Sequence, residues 1–322
     1  MVARSFLLGV VTVAPLLSTL VHSEEPGVRH IGVLYREGSQ TALAGLRDGL
    51  RDLGYVEGKN IAIEWKPLSD PTDEKLRTIA VEWATSHADV IVAMGTPEAR
   101  AVLQATSVPV VFVAGDPVGT GLAQSLAHPG GRGTGVSMLN RELVGKRMEL
   151  LRQFSPGARR IVLLTNPSNP LDARMVGEAQ SSARALDLKL MVAEARTEPE
   201  LDTRLRAMSR GAADGLLVSN DQLFLSHRAK VTEAARKARL PAIFPFKEYH
   251  DSGALASYEP SGAEGTRKAA TYVAKILEGA KPGDLPIEEI SSFELVIDLR
   301  VPREMQIKIP QELLYRANEV IK

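Results

Sequence analysis

The 322-residue chain contains no cysteine. That excludes disulfides, thiolate metal sites, iron–sulfur clusters and thiol nucleophiles, and also the lipidated cysteine of a bacterial lipoprotein. Neither sign of charge is in excess: 39 Lys and Arg face 39 Asp and Glu. A nucleic-acid partner is therefore not expected, because such proteins carry a basic surplus. Aromatics make up only 5%, so each one near a cleft is informative. Beyond the N-terminus no stretch approaches the 18 apolar residues of a membrane span. What the chain does have is a 44% hydrophobic and 24% charged composition, ordinary for packed domains. Its length implies about two of them.

Catalytic and cofactor signatures are missing as well. There is no G-x-x-x-x-G-K-[ST] and no G-x-S-x-G elbow. Gly131-x-Gly133-x-Gly135 lacks the strand before it and the spacing of a dinucleotide loop, so it reads as a flexible connector. The six histidines form no H-x-x-x-H pair, so no metal and no cofactor is expected. Glu24-Glu25 and Glu288-Glu289 read as solvated carboxylates rather than a catalytic pair.

Residues 1–23 carry the pattern of a secretory signal. Arg4 supplies a positive start, an apolar run follows from Phe6 to Val21, and Val21-His22-Ser23 offers a cleavage site. The run of about 16 residues is short of the roughly 20 needed to span a bilayer. The expected product is exported and periplasmic, cleaved near Ser23.

The remainder alternates strand and helix twice. Apolar runs at 28–35, 61–65, 89–93 and 108–113 read as strands, separated by helical periodicity at 43–53, 76–83 and 96–106. A Gly/Pro-rich stretch from His128 interrupts. The alternation then restarts: helices at 141–154, 171–186, 198–209 and 223–238, and strands at 159–165, 188–194, 214–218 and 241–244. Further segments follow: a strand at 254–258, a helix at 262–279 ended by Pro282, a strand at 293–299 and a last amphipathic helix at 310–321. The fold class is α/β, two doubly wound parallel-sheet lobes joined by a three-crossover hinge. Crossings are expected near 136, 252 and 283. The first lobe is then 28–136 plus 252–282, and the second 137–251 plus 283–322.

Ligands of open parallel sheets bind beyond the carboxyl ends of the strands, and facing lobes make a cleft between two such edges. The candidates are the residues just after each strand. In the first lobe they are Tyr35, Ser39 and Gln40, then Thr96 and Pro97 after Gly95, then Asp116. In the second they are Asn166, Ser168 and Asn169, then Asn220 and Asp221, then Phe244, with Phe246 and Tyr258 nearby. Thr96-Pro97 and Asn169-Pro170 each read as an N-cap followed by proline. Each helix end presents backbone N–H groups and a dipole that favours an anion, so the pair suits a carboxylate. Asp116 and Asp221 are each either a turn former or an acceptor for a ligand ammonium or hydroxyl. Tyr35, Phe244, Phe246 and Tyr258 offer an aromatic wall.

Several of these segments resemble a known family. Ile31-Gly32-Val33-Leu34-Tyr35, the run Gly45–Asn60, Pro109-Val-Val-Phe-Val-Ala-Gly-Asp-Pro continuing to Gly131, Leu240-Pro-Ala-Ile-Phe244 and Ile276–Pro286 are similar to ABC transporter substrate-binding proteins of the tryptophan/tyrosine-type periplasmic component. The resemblance covers about residues 29–300. It implies a type I periplasmic-binding fold, a small carboxylate-bearing solute such as an amino acid or aromatic acid, no enzymatic step, a permease partner in the inner membrane and a monomer. Family ligand contacts carry over to Thr96, Asp116, Asn166, Ser168 and Asn220. The chain departs from the family where Ser257-Tyr258-Glu259-Pro260 stands in place of Ser-Tyr-Gly-Pro, which sets a carboxylate beside the hinge. It departs again at Asp298–Met305. The alternatives are a ligand-sensing subunit for a membrane receptor and a two-domain glycosyltransferase-like enzyme.

Overall fold

A computed structural model describes residues 27–36, 40–68, 73–138, 143–208, 211–305 and 307–322. The signal-like segment and Ser39 lie outside the described residues, as does the side chain of Gln40. The first lobe begins β1 (Arg29–Arg36), α1 (Gln40–Asp52), β2 (Ile61–Leu68), α2 (Asp73–Thr85), β3 (Val90–Met94), α3 (Thr96–Ala105), β4 (Val110–Ala114) and β5 (Gly133–Ser137). The second follows with α4 (Leu143–Phe154), β6 (Arg160–Thr165), α5 (Pro170–Ala185), β7 (Lys189–Glu194), α6 (Glu198–Ala207), β8 (Gly215–Val218), α7 (Gln222–Ser226), α8 (Arg228–Ala238), β9 (Ala242–Phe244) and β10 (Ala256–Pro260). Last come α9 (Gly262–Leu277), β11 (Glu288–Glu289), β12 (Phe293–Asp298), α10 (Arg300–Met305), α11 (Gln311–Arg316) and β13 (Glu319–Ile321).

The first sheet runs β11-β5-β4-β3-β1-β2 and is parallel throughout. The second runs β13-β12-β10-β9-β8-β6-β7. Its one antiparallel pair is β10 with β12; the others are parallel. The apolar runs of β3 and β4 are buried because helices cover both faces: α2 and α3 on one side, α1 and α9 on the other. Close approach of α1 to α9 depends on Gly45 and Gly49. A Cβ on Gly45 would meet the Ala263 carbonyl oxygen at 2.5 Å, and one on Gly49 the Ala270 methyl at 2.8 Å.

Strand pairing corrects the expected crossings. Ala256 and Ser257 pair with β9, and all of β10 pairs with β12, so the chain stays in the second lobe until Pro260 rather than leaving near 252. It then enters the first lobe as α9. Glu288 and Glu289 pair with β5, so the return comes after 289 rather than near 283. At the first crossing β5 is the last element in the first lobe and α4 the first in the second. Glu264 ties the second and third crossings together. Its backbone N–H donates to the Ser261 hydroxyl at 3.3 Å, and its carboxylate accepts the Ser292 N–H at 3.0 Å and the hydroxyls of Ser291 and Ser292.

Three other expectations need correction. The Gly-rich connector contains β5, wholly buried between β4 and β11. The helix expected over 223–238 is two helices that meet at His227, whose backbone (φ −105°, ψ 24°) leaves the helical range; Asp221 caps the short first one. The last helix stops at Arg316, and Glu319–Ile321 is an edge strand parallel to β12.

Candidate functional site

Several of the strand ends named by the sequence carry polar contacts, one set in each lobe, with the Arg174–Asp116 ion pair between the lobes. In the first lobe β3 ends at Met94, and the next residue, Gly95, with a φ of 132°, is the N-cap of α3. Only glycine fits there. A Cβ would lie 2.0 Å from Oε2 of Glu98, which is wholly buried under the turn. Thr96 was expected to cap this helix and does not. It is the first helical residue, and its hydroxyl instead accepts the Gly115 N–H at 3.4 Å. The N-terminus of α3 therefore has no side-chain cap, and Pro97, exposed in its first turn, has no N–H to offer.

Asp116 follows β4 one residue beyond Gly115. Its carboxylate accepts the Gly119 N–H at 2.8 Å and Nη1 of Arg174 at 2.9 Å. Arg174 lies on α5, in the other lobe. Tyr35, half-buried at the end of β1, meets Trp65 edge to face with ring centroids 6.3 Å apart.

The second lobe supplies a denser network. Asn169 caps α5 as expected, its Oδ1 accepting the Leu171 N–H at 3.0 Å. Its Nδ2 donates to Asp221 at 2.9 Å, and Asn166 Nδ2 donates to the same carboxylate at 3.1 Å. Asp221 also caps α7 through the Leu223 N–H at 2.9 Å. Asn166 Oδ1 accepts the Ser168 N–H at 3.0 Å. Asp172, three residues after Asn169, accepts the Asn166 N–H at 2.7 Å and the Ser219 hydroxyl at 2.6 Å. Burial pushes the Asp172 carboxyl up to about 6, against the pull of those two donors. Asn220 is half-buried, and its carboxamide has no hydrogen-bond partner among the described residues.

The α5 terminus therefore differs from that of α3. Both helices carry an acidic residue in the first turn, Glu98 in α3 and Asp172 in α5, but the α5 turn is also served by the Asn169 cap and has the Asp221 carboxylate bonded to that cap, whereas α3 has no side-chain cap. An anion is better received at α3, and the second lobe offers acceptors.

Phe244 does not form an aromatic wall. It is 1% exposed, stacked on Tyr249 with centroids 4.6 Å apart in the core between α8 and the sheet. Phe246 is half-buried against the same core. Tyr258 is half-buried and stacks on Phe293 at 5.8 Å, beside the second crossing.

Three contributors fall outside the strand-end loops read from the sequence, Arg147, Asp172 and Arg174, whereas Ser219 belongs to the Ser219-Asn220-Asp221 loop that the strand end points to. The Asn169-x-x-Asp172 spacing resembles a capping box and was the one trace available. Arg147 is buried in α4. Its Nε donates to the Tyr258 carbonyl at 2.8 Å, and Nη2 lies 3.5 Å from the Pro245 carbonyl, where β9 and β10 have parted. Loss of solvent lowers its guanidinium to about 10. Glu259 accepts the Lys247 N–H at 3.0 Å. Burial, then the charges of Glu248 and Glu294, raise its carboxyl to about 8.

A pH dependence follows from Glu259. A carboxyl raised from its ordinary value to about 8 holds its proton more tightly in the folded state. Its stabilising contribution is complete below about pH 4.5 and is lost as pH rises toward 8. Glu259→Gln should therefore flatten the decline in stability between pH 5 and pH 8. The gain at pH 8 should be about 1–2 kcal/mol after allowance for partial solvent screening. Urea unfolding at the two pH values measures it. An unchanged slope would assign the decline to other groups.

Two surface hollows lie away from these strand ends. One runs along α2, lined by Arg77, Val81 and Thr85, and the other sits by Arg29, Asp89 and Pro109. Neither shares a residue with the network. Among the described residues no cluster of three His, Asp or Glu is placed to hold a metal ion, and no helix is long and apolar enough to cross a membrane.

Comparison with known proteins bears on the family and the fold. The profile of the family described as "ABC transporter substrate binding protein" matches residues 28–321. A tyrosine-binding protein of Clostridioides difficile (strain R20291) is 29% identical over 265 residues, covering 80% of this chain and 74% of that protein. A conserved domain protein from Vibrio cholerae superposes with a TM-score of 0.79 at 28% identity, covering 91% of this chain and 99% of its own. A structure from Streptococcus pneumoniae, described as an ABC domain in complex with L-Trp, gives 0.80 at 25% identity, with coverages of 92% and 100%.

Proposed function

The chain belongs to the ABC transporter substrate binding protein family, and on that premise we propose that it is the periplasmic solute receptor of an inner-membrane ABC importer. Members of this family bind solutes and do not transform them. They work outside the cytoplasmic membrane, and a permease is their partner. On this reading residues 1–23 direct export, and the mature protein is a monomer that begins near Glu24. N-terminal sequencing of the exported protein should find that start. Retained Met1 would mean that the segment stays as an anchor.

The solute is a small zwitterion with a carboxylate, an amino acid by preference, held between the two sheet edges. The observation that carries this reading is the contrast between the lobes. The first presents the uncapped N-terminus of α3 beside the Thr96 hydroxyl. The second presents Asp221 and the Asn220 carboxamide, which has no partner among the described residues. A carboxylate suits the first, because backbone N–H groups and the helix dipole favour an anion. An ammonium suits the second. Asp116, whose carboxylate faces Arg174, is better assigned to holding the loop. Ser168 is exposed and Asn166 half-buried at the rim, with Tyr35 flanking the apolar part.

The relatives named for tyrosine and tryptophan supply the probes. L-tryptophan and L-tyrosine should bind at least about tenfold more tightly than their carboxamides, as expected for losing a hydrogen bond to a charged group. Isothermal calorimetry of the matched pairs measures it. Equal affinities would remove the carboxylate from the proposal.

A further inference from the structure

Arg174 and Asp116 are 58 residues apart, one on α5 of the second lobe and the other after β4 of the first. Among the described residues this is the one ion pair that joins the lobes away from the three crossings. The pair is seated, not incidental. Asp116 is 13% exposed at its side chain and fixed by the Gly119 N–H, while its own backbone carbonyl accepts the Thr120 N–H and hydroxyl. Gly119 leaves the space in which the two groups meet. A Cβ there would lie 2.1 Å from Arg174 Nη1 and 2.2 Å from Asp116 Oδ2. Gly119 does not have a positive φ, so its backbone does not call for glycine; the ion pair does.

We propose that Arg174 is a positioning residue for solute binding: by clamping the Asp116 loop across the cleft it biases the two lobes toward the closed arrangement before any solute is present. Two consequences follow for the site. Thr96 is bonded to Gly115, the neighbour of Asp116, so the clamp also sets the place of the α3 terminus relative to α5. And because Arg174 is 49% exposed at its side chain, the clamp opens without burying an unpaired charge, which suits a receptor that must release its cargo. The inference rests on the two-lobed receptor reading, but its test uses no solute, so its failure would leave that reading standing.

The absence of cysteine makes the test clean. Glu82→Cys on α2 and Lys189→Cys on β7, both exposed and in different lobes, accept one spin label each. Pulsed electron–electron resonance then reads the interlobe distance in four backgrounds: the otherwise unchanged chain, Gly119→Ala, Arg174→Gln and Arg174→Lys. Gly119→Ala expels the guanidinium without altering a charge. The expected result is a longer, broader distance distribution in Gly119→Ala and Arg174→Gln alike, with the open population raised about three- to fivefold. Arg174→Lys should restore most of the short distance. Raising NaCl to 1 M should shift the unchanged chain toward the two variants and leave those variants where they are. A control, Arg267→Gln, breaks the Asp52 pair inside the first lobe and should change nothing. Identical distributions in all backgrounds would overturn the proposal. So would a response to only one of Gly119→Ala and Arg174→Gln, or an equal response in Arg267→Gln.

Discussion

Gly135→Ala is expected to lower the melting temperature by about 6–12 °C, corresponding to roughly 3 kcal/mol or more in a chain of this size. Gly135 has a φ of 149°, outside the range that L side chains ordinarily adopt. A Cβ there would lie 2.0 Å from the Phe112 carbonyl oxygen and 2.7 Å from its nitrogen. Both atoms belong to β4, paired residue for residue with β5, and Phe112 is itself fully buried. A backbone clash inside a sheet is not relieved by a rotamer change, so the strand must shift or leave. Its departure would carry β11 with it, along with the bond from the Thr134 hydroxyl to the Leu285 carbonyl at 2.7 Å. Gly131→Ala is the comparison. It too has a positive φ, 65°, but nothing lies within 4 Å of its added Cβ, so the expected cost is only the left-handed conformation, about 1–2 kcal/mol. Calorimetric melts of the two variants decide. Equal losses would mean that the contact with β4 yields more easily than its geometry implies.

The same segment marks where the sequence stops being legible. Strands such as Val90–Met94 and Arg160–Thr165 announce themselves as apolar runs between helical periodicities, and the two-lobed α/β fold follows from their order. Gly133-Thr-Gly-Val-Ser does not, because glycine is poor in strand propensity and marks turns more often than buried strands. The hinge is misplaced for a related reason. Whether Ala256–Pro260 belongs to one lobe or the other is decided by its pairing with β9 and β12, and pairing is not written in local pattern. At the site, the candidate loops were legible because topology places them at strand ends. The partners were not. Asp221 meets Asn166 across 55 positions and Asp116 meets Arg174 across 58, distances at which periodicity says nothing. Thr96 looks like a cap by residue type, yet the cap position falls one residue earlier, on Gly95, where Glu98 leaves no room for a side chain. Phe244 follows the pattern of a cleft aromatic, and its burial under Tyr249 is a tertiary outcome.

Asp221→Asn is expected to weaken L-tryptophan and L-tyrosine by about 30- to 100-fold while costing the fold about 1 kcal/mol. A carboxylate offers about four acceptor positions. In this structure Oδ1 takes the Asn166 amide and the Leu223 N–H, and Oδ2 takes the Asn169 amide. One position on Oδ2 is left over, on a residue 8% exposed at the end of β8. A solute ammonium placed there would make a charge-assisted bond worth roughly 1.5–3 kcal/mol, and more of the affinity goes if the ammonium is left facing an amide N–H. The asparagine keeps the side-chain shape, and its oxygen continues to cap α7 and to receive Asn166. Only the Asn169 side loses its acceptor, which accounts for the small stability cost. A structural and a ligand-directed role are separated by indole-3-propionate, which keeps the ring and carboxylate of tryptophan and lacks the amine. Its affinity should change less than threefold in Asp221→Asn. Asp221→Ala should behave differently, removing the cap and both amide acceptors at a cost of about 2–3 kcal/mol and weakening both compounds. Calorimetry of the two compounds against the two variants gives four dissociation constants. If Asp221→Asn weakens tryptophan and indole-3-propionate equally, the carboxylate serves to arrange Asn166 and Asn169, and the ammonium must be met elsewhere in the cleft.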